Sequence, residues 1–264
     1  MSDGLVQVRG VSKIYRQGSI DIEALHEVDL DIFDGDFAVL AGPSGSGKTT
    51  LLNLIGALDV PSKGSITVDG QRLDEVRGSA LADLRLHRFG FVFQAYNLIP
   101  VMSAYENAEY VLLLQGVATA TRRKRVRDLL KAVGLEGLED RKPAELSGGQ
   151  QQRVAVARAL AAEPAVVLAD EPTANLDSKT GAGLVDLMRD LNRERGVTFI
   201  ISSHDGKVID RAERVVSLVD GRVTSDERSG AGSYRASSRR KPSAAAEDDE
   251  SSRQAQAPDE EPSE

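Results

Sequence analysis

The run Gly42-Pro43-Ser44-Gly45-Ser46-Gly47-Lys48-Thr49-Thr50 concentrates glycines and hydroxyls ahead of a lysine. Glycine lets backbone N–H groups curl around an anion, and a helix start adds partial positive charge to the same spot. The run fits G-x-x-x-x-G-K-[ST] in full, a loop that cradles the phosphates of a nucleotide. Lys48 is placed to reach the β- and γ-phosphates, and the Thr49 hydroxyl to hold Mg²⁺.

A second glycine loop, "AELSGGQQQRVAVARAL" at 144–160, has Ser147, Gly148 and Gly149 at a helix start but no lysine. It offers only hydroxyl and N–H donors and a helix dipole. One chain therefore carries two phosphate-binding helix starts, and the question is whether they serve one nucleotide or two.

Three further positions have the chemistry to act on a phosphate. The run "VVLADE" ends in two carboxylates: Asp170 is suited to orient Mg²⁺ through its water shell, and Glu171 to polarise an attacking water as general base. His204 follows "FIISS" at a strand end, where it could bond a γ-phosphate and orient that water. Gln94 closes the run "FGFVF", and its amide could touch Mg²⁺ or the water and sense the γ-phosphate. His26 and His87 have no such setting.

These residues need a scaffold that brings distant strand ends together. "DFAVLAG" (36–42), "FGFVFQ" (89–94), "AVVLADE" (165–171) and "VTFIISSH" (197–204) each end an apolar run in a glycine or polar residue. Buried parallel strands produce that pattern, and ligands bind at their carboxyl ends. Gly42–Thr50 follows the strand "FAVLA" and precedes the helical pattern Leu51, Leu52, Leu54, Ile55, which is the context a phosphate loop requires. The opening thirty residues alternate like antiparallel strands. The segment from about 95 to 158 reads as a helical subdomain inserted into the sheet domain. Within it Arg122, Arg123, Lys124, Arg125 and Arg127 line an amphipathic helix whose apolar side is Val126, Leu129, Leu130 and Val133, so the basic run is a solvated face.

Composition narrows the class. The chain has 264 residues, no cysteine and a net charge of −8, which excludes disulfides and thiolate metal sites and points away from nucleic acid. Its apolar runs, such as "YVLLL" at 110–114, fall short of the ~18 residues of a membrane span. The N-terminus lacks the pattern of an export signal. From 226 to 264 the sequence has no Val, Ile, Leu, Met, Phe or Trp, so the expected organisation is a domain over 1–225 and a disordered charged tail over 226–264.

Together these motifs resemble the ATP-binding cassette (ABC) ATPases over nearly the whole chain to about residue 225. The match comprises the phosphate loop, Gln94, "LSGGQ" at 146–150, "VVLADEPT" at 166–173, "NLD" at 175–177 and His204, in family order. The resemblance implies an α/β P-loop fold with a mixed sheet core, an antiparallel β-subdomain and an inserted helical subdomain. It implies ATP with Mg²⁺, Tyr15 stacked on adenine, and Ser147, Gly148, Gly149 and Gln150 as the signature motif. It also implies a head-to-tail dimer with each ATP between the phosphate loop of one copy and the signature loop of the other, and Asp177 at the seam. On that reading the two loops of one chain serve two nucleotides.

A finer likeness joins "IGALDVPSKGSITVDG" and "RFGFVFQAYNLIPVMSAYENA" to the lipoprotein-releasing, macrolide-export and FtsE-type branch, with Ala57, Ser62, Tyr96 and Ile99 as departures. It implies an ATPase peripheral to the cytoplasmic face of the membrane, driving an FtsX-like integral permease. Docking is expected at a groove formed by Leu98, Ile99, Val101, Met102 and Tyr105, which are apolar for a loop. Two alternatives stand beside this one: a soluble ABC ATPase acting on nucleic acid or ribosomes, and a cell-wall or division regulator that moves no solute.

Overall fold

In the computed structural model, which describes residues 4–228, the antiparallel opening is present. Strands β1 (Val6–Gln17) and β2 (Ile20–Ile32) pair from Val6 opposite Ile32 to Gln17 opposite Ile20. On the other side β1 pairs with β4 (Lys63–Val68), which continues into β5 (Gln71–Arg72). The sheet order is β2-β1-β4-β5.

The second sheet holds the apolar runs. It comprises β3 (Phe37–Ala41), β6 (Phe89–Val92), β7 (Val166–Asp170), β8 (Thr198–Ser203), β9 (Arg214–Val219) and β10 (Arg222–Arg228). Their order is β10-β9-β3-β8-β7-β6. All neighbours are parallel except the β9–β10 hairpin at one edge.

Because side chains alternate across a strand, this sheet feeds two cores. Phe37, Val39, Val167, Ala169, Phe199 and Ile201 face one of them, with α3 (Ala104–Leu114), α4 (Thr119–Ala132), α5 (Gly148–Ala161) and α6 (Ser178–Arg195). Ala38, Leu40, Val166, Leu168, Ile200 and Val216 face the other, with α1 (Lys48–Ile55) and the first sheet. The helices α2 (Ser79–Arg88) and α7 (Gly206–Ile209) complete the α-helices among the described residues. Helices α3 to α5 lie in the chain between the neighbouring strands β6 and β7, where the inserted subdomain was expected, and α5 runs on to Ala161. The basic run lies on α4, with Val126, Leu129 and Leu130 buried on its other side.

The domain boundary differs from the expectation of 225. Strand β10 runs to Arg228, and two of its charged residues are fastened by charge: Asp226 to Arg214, Arg228 to Asp36. The buried Arg214–Asp36 pair, at 2.7 Å, takes the role that apolar burial plays elsewhere. Residues 229–264, the rest of the expected tail, lie outside the described residues.

Candidate functional site

Strand register sets the site. Ala41 lies beside Ser203, and Asp170 beside Ser202, so the carboxyl ends of β3, β8 and β7 are level. The chain leaves those ends as the glycine loop, as His204 and as Glu171.

The loop is a cradle that side chains would fill. Gly42 and Gly47 take φ of +154° and +98°, and a Cβ on them would fall 2.1 Å from the Leu218 carbonyl oxygen and 2.7 Å from that of Ala24. Gly45, at φ +82°, shares the left-handed backbone, while Pro43 and Ser44 are exposed. No side chain caps α1, and its first internal bond is Leu51 N–H to Gly47 O, so the first-turn N–H groups from Lys48 to Thr50 can serve an anion. Ser46 Oγ is buried and has no hydrogen-bond partner among the described residues. Lys48 Nζ donates to the carbonyls of Gly42 (2.8 Å) and Pro43 (2.9 Å), within the loop itself.

Facing the loop, Asp170 Oδ1 accepts from Thr49 Oγ1 (2.8 Å) and from Ser202 Oγ (2.6 Å). Among the described residues there is no cluster of three His, Cys, Asp or Glu that could hold a metal. One carboxylate and one hydroxyl, all oxygen, suit a Mg²⁺ that arrives with phosphates and keeps its waters. Glu171 has φ +44°, a left-handed backbone rare outside glycine, and Ser202 holds it there by taking its N–H at both carbonyl and Oγ. Its Oε1 lies 2.9 Å from His204 Nδ1 and 3.8 Å from Lys48 Nζ. The carboxylate side chain is 15% exposed and the imidazole 60%. A largely buried carboxylate thus meets an imidazole beside the glycine loop, a geometry suited to general-base chemistry.

Tyr15 lies near the same loop. Its hydroxyl donates to Asp59 Oδ2 (2.9 Å), and Lys13 Nζ lies 4.8 Å from its ring centre while bonding Asp59 Oδ1. Burial raises the Tyr15 phenol, and the Asp59 hydrogen bond adds to the rise. The Lys13 ammonium thus lies over one face of the ring.

Gln94 is exposed, and among the described residues no hydrogen bond joins its side chain to Thr49, Asp170 or Glu171. Its carbonyl accepts from Asn175 Nδ2 at 2.9 Å. Ser147 and Gln150 form a capping box at the head of α5: each side chain accepts the other's backbone N–H, and the Ser147 hydroxyl proton stays free to donate. A Cβ on Gly148 would fall 2.7 Å from Tyr96 Oη, and one on Gly149 2.4 Å from Thr180 Cγ2. Asp177 caps α6, accepting from Lys179 N, Thr180 N and Thr180 Oγ1. The Gly149–Thr180 contact therefore puts the signature loop and Asp177 side by side. No hydrogen bond or ion pair among the described residues joins residues 147–150 to the loop at 42–50.

The ABC transporter family profile matches residues 25–174. The chain belongs to this family. It is 46% identical to a lipoprotein-releasing system ATP-binding protein LolD 1 of Rhodopseudomonas palustris, over 83% of the chain and 98% of that relative. Against the macrolide export ATP-binding/permease protein MacB 1/2 of Paracoccus denitrificans, identity is 45% over 86% of the chain but only 34% of the relative. A dimeric post-hydrolysis structure of the cassette MJ0796, bound to ADP and inorganic phosphate, superposes with a TM-score of 0.78 at 44% identity, covering 84% of the chain and 98% of that cassette. The fold is the ABC ATPase fold, and the protein is an ATP-hydrolysing subunit of the LolD/MacB type.

Several residues of this ABC cassette escaped the sequence reading. Ser202 holds both carboxylate residues, yet the only signal for it was its place one strand-end residue before the Ser203-His204 pair. Asn175 and Arg158 act on backbone carbonyls, and such contacts leave no motif. The residues expected to form the docking groove are partly buried at Leu98, Ile99, Met102 and Tyr105 and exposed at Val101. Leu98 and Tyr105 pack against the core, and the fully buried Asn107 pins the turn by bonding Ile99, Met102 and Ser103 carbonyls, leaving Val101 at 75% exposure as the tip. An apolar cavity of about 580 Å³ lies against α3, lined by Leu58, Leu86, Phe91, Phe93, Tyr110 and Leu114 among others.

Proposed function

We propose that this subunit works as a head-to-tail dimer, closes on two ATP and drives a separate FtsX-like integral membrane permease from the cytoplasmic face. The observation that carries the reading is the split between its two anion sites. Lys48, Thr49, Asp170, Glu171 and His204 converge on one loop, while Ser147, Gly148 and Gly149 bond nothing in it and stand beside Asp177.

In this reading the N–H groups and Lys48 of residues 42–50 hold the phosphates, with Lys48 exchanging its two carbonyl acceptors for phosphate oxygens. Tyr15 stacks on the adenine. Thr49, Asp170 and Gln94 would hold Mg²⁺, which neutralises developing charge on the phosphates when bound. Glu171 takes a proton from the attacking water while His204 fixes its carboxylate, and the hydroxyl of Ser147 and N–H groups of Gly148 and Gly149 donate to the γ-phosphate held by the other copy. The Gln150 side chain braces that loop. The cavity beside α3 is the proposed seat of an apolar permease helix.

The test is phosphate release by the purified chain, together with Glu171→Gln. Removing the base slows turnover on the order of a hundredfold or more and traps an ATP-dependent dimer in size exclusion. Near-normal turnover in the variant removes Glu171 from the mechanism.

A further inference from the structure

Tyr96 and Asn97, just past Gln94, are consecutive non-glycine residues with left-handed backbones, at φ +61° and +50°. Such a pair persists only where its surroundings impose it. Here the constraint comes from one helix. Arg158 Nη2 donates to the Tyr96 carbonyl at 3.0 Å and Nη1 to the Asn97 carbonyl, while Gln152 Nε2 donates to the Phe93 carbonyl at 3.3 Å. Both side chains belong to α5, the helix that Ser147 caps. At its head, Tyr96 Oη sits where a Cβ on Gly148 would be only 2.7 Å away.

Arg158 makes no ion pair among the described residues. Burial pulls its guanidinium below the ordinary arginine range, so a desolvated cation is spent on two neutral carbonyls. A planar fork suits that task because its two Nη groups meet two separated acceptors in one fixed geometry, which the single Nζ of a lysine does not reproduce.

We infer that Arg158 is a positioning residue for ATP hydrolysis: it holds the strained Tyr96–Asn97 turn that aims Gln94, and so binds the Gln94 segment and the signature loop into one rigid unit. A shift of Gln94 at one nucleotide is thereby passed to Ser147, which serves the other. The inference rests on the proposed roles of Gln94 and Ser147. It adds that the link between them is the guanidinium, with the Tyr96 hydroxyl as the second point of contact.

The experiment compares steady-state ATPase of the full chain with Arg158→Lys, Arg158→Ala and the double variant Arg158→Ala/Asn97→Gly. Loss of the clamp lowers kcat about tenfold or more and leaves KM for ATP within about threefold, because the phosphate loop is untouched. Arg158→Lys falls between. Millimolar guanidinium, but not ammonium, restores part of the Arg158→Ala activity. Asn97→Gly also restores part, since glycine takes the left-handed turn without strain. Arg158→Ala turnover within twofold of wild type overturns the inference. So does a loss that neither guanidinium nor Asn97→Gly reverses, which marks a purely structural arginine. If Arg158→Ala fails to fold, Arg158→Lys decides: lowered kcat with unchanged KM supports the clamp, and wild-type kinetics overturns it. Failure of the underlying functional reading is distinguishable, because then the wild-type chain itself, or Glu171→Gln, behaves contrary to expectation.

Discussion

His204 Nδ1 and Lys48 Nζ both face one oxygen, Glu171 Oε1, the first in a hydrogen bond at 2.9 Å and the second in an ion pair at 3.8 Å. The lysine comes from the loop after β3, the histidine from the end of β8 and the glutamate from the end of β7. The contact therefore exists only because those three strands are adjacent and in register. A carboxylate held on one oxygen by an imidazole keeps the other oxygen available for water.

His204→Ala is accordingly expected to lower kcat by about 10- to 100-fold with a KM for ATP within a few-fold of wild type. Phosphate release over a range of ATP concentrations checks this. Unchanged kcat would show that Glu171 is oriented without the imidazole.

The groove prediction separates two apolar sets, one before α3 and one toward its end. Leu98 packs on the core, whereas Leu114 is exposed at the rim of the cavity beside α3. Leu98→Ser should lower the unfolding midpoint, while Leu114→Asp and Tyr110→Ser should leave basal ATPase and melting near normal and abolish co-purification with the permease. Retained co-purification by the Leu114 and Tyr110 variants would put the docking surface elsewhere.

These two sets show where sequence reading reaches its limit. The strands of the parallel core were legible because burial on both faces demands unbroken apolar runs, and the loop at 42–50 because phosphate cradling demands glycine at fixed spacing. Strand β10 was not legible: "RVTSDER" looks like solvated chain until Arg214 and Asp36 supply its partners. Which way Leu98 and Leu114 point depends on Asn107 and on the placement of α3, and neither follows from hydrophobicity. Gln94 was picked out by its position after an apolar run, but the Arg158 clamp beside it consists of backbone carbonyls, which every residue has.

Asp177 makes acid stability testable. The Thr180 hydroxyl bond, then the backbone N–H bonds, lower its carboxyl below the usual range. A depressed folded pKa means the stabilisation is complete above the unfolded value of about 4 and is lost as pH falls through the folded value. Asp177→Asn keeps a capping acceptor without the charge. Thermal melts should show the variant below wild type by a few degrees at neutral pH, with the gap closing below about pH 4. A gap independent of pH would mean the carboxylate charge contributes nothing to the cap.

Arg214 tests how the edge of the large sheet is held. Its side chain is 3% exposed, and it donates to Asp36 on one side and through Nε and Nη2 to both oxygens of Asp226 on the other. Arg228 also reaches Asp36, from the last residue of β10, at 2.9 Å. Removing the central cation leaves the buried Asp36 with only Arg228 as an ion-pair partner and Asp226 with none of its bidentate bonds, a change that costs about 3–5 kcal/mol when a buried pair is broken. Removing Arg228 leaves the Arg214–Asp36 pair in place, and being more exposed it should cost about 1 kcal/mol or less. Urea unfolding of Arg214→Met and Arg228→Met measures both. Asp36→Asn in the Arg214→Met background should recover part of the loss, because it removes a buried charge left with the partly exposed Arg228 alone to neutralise it. Equal costs for the two arginines, or no recovery with Asp36→Asn, would mean that β10 is held by its ladder to β9 rather than by the buried charges.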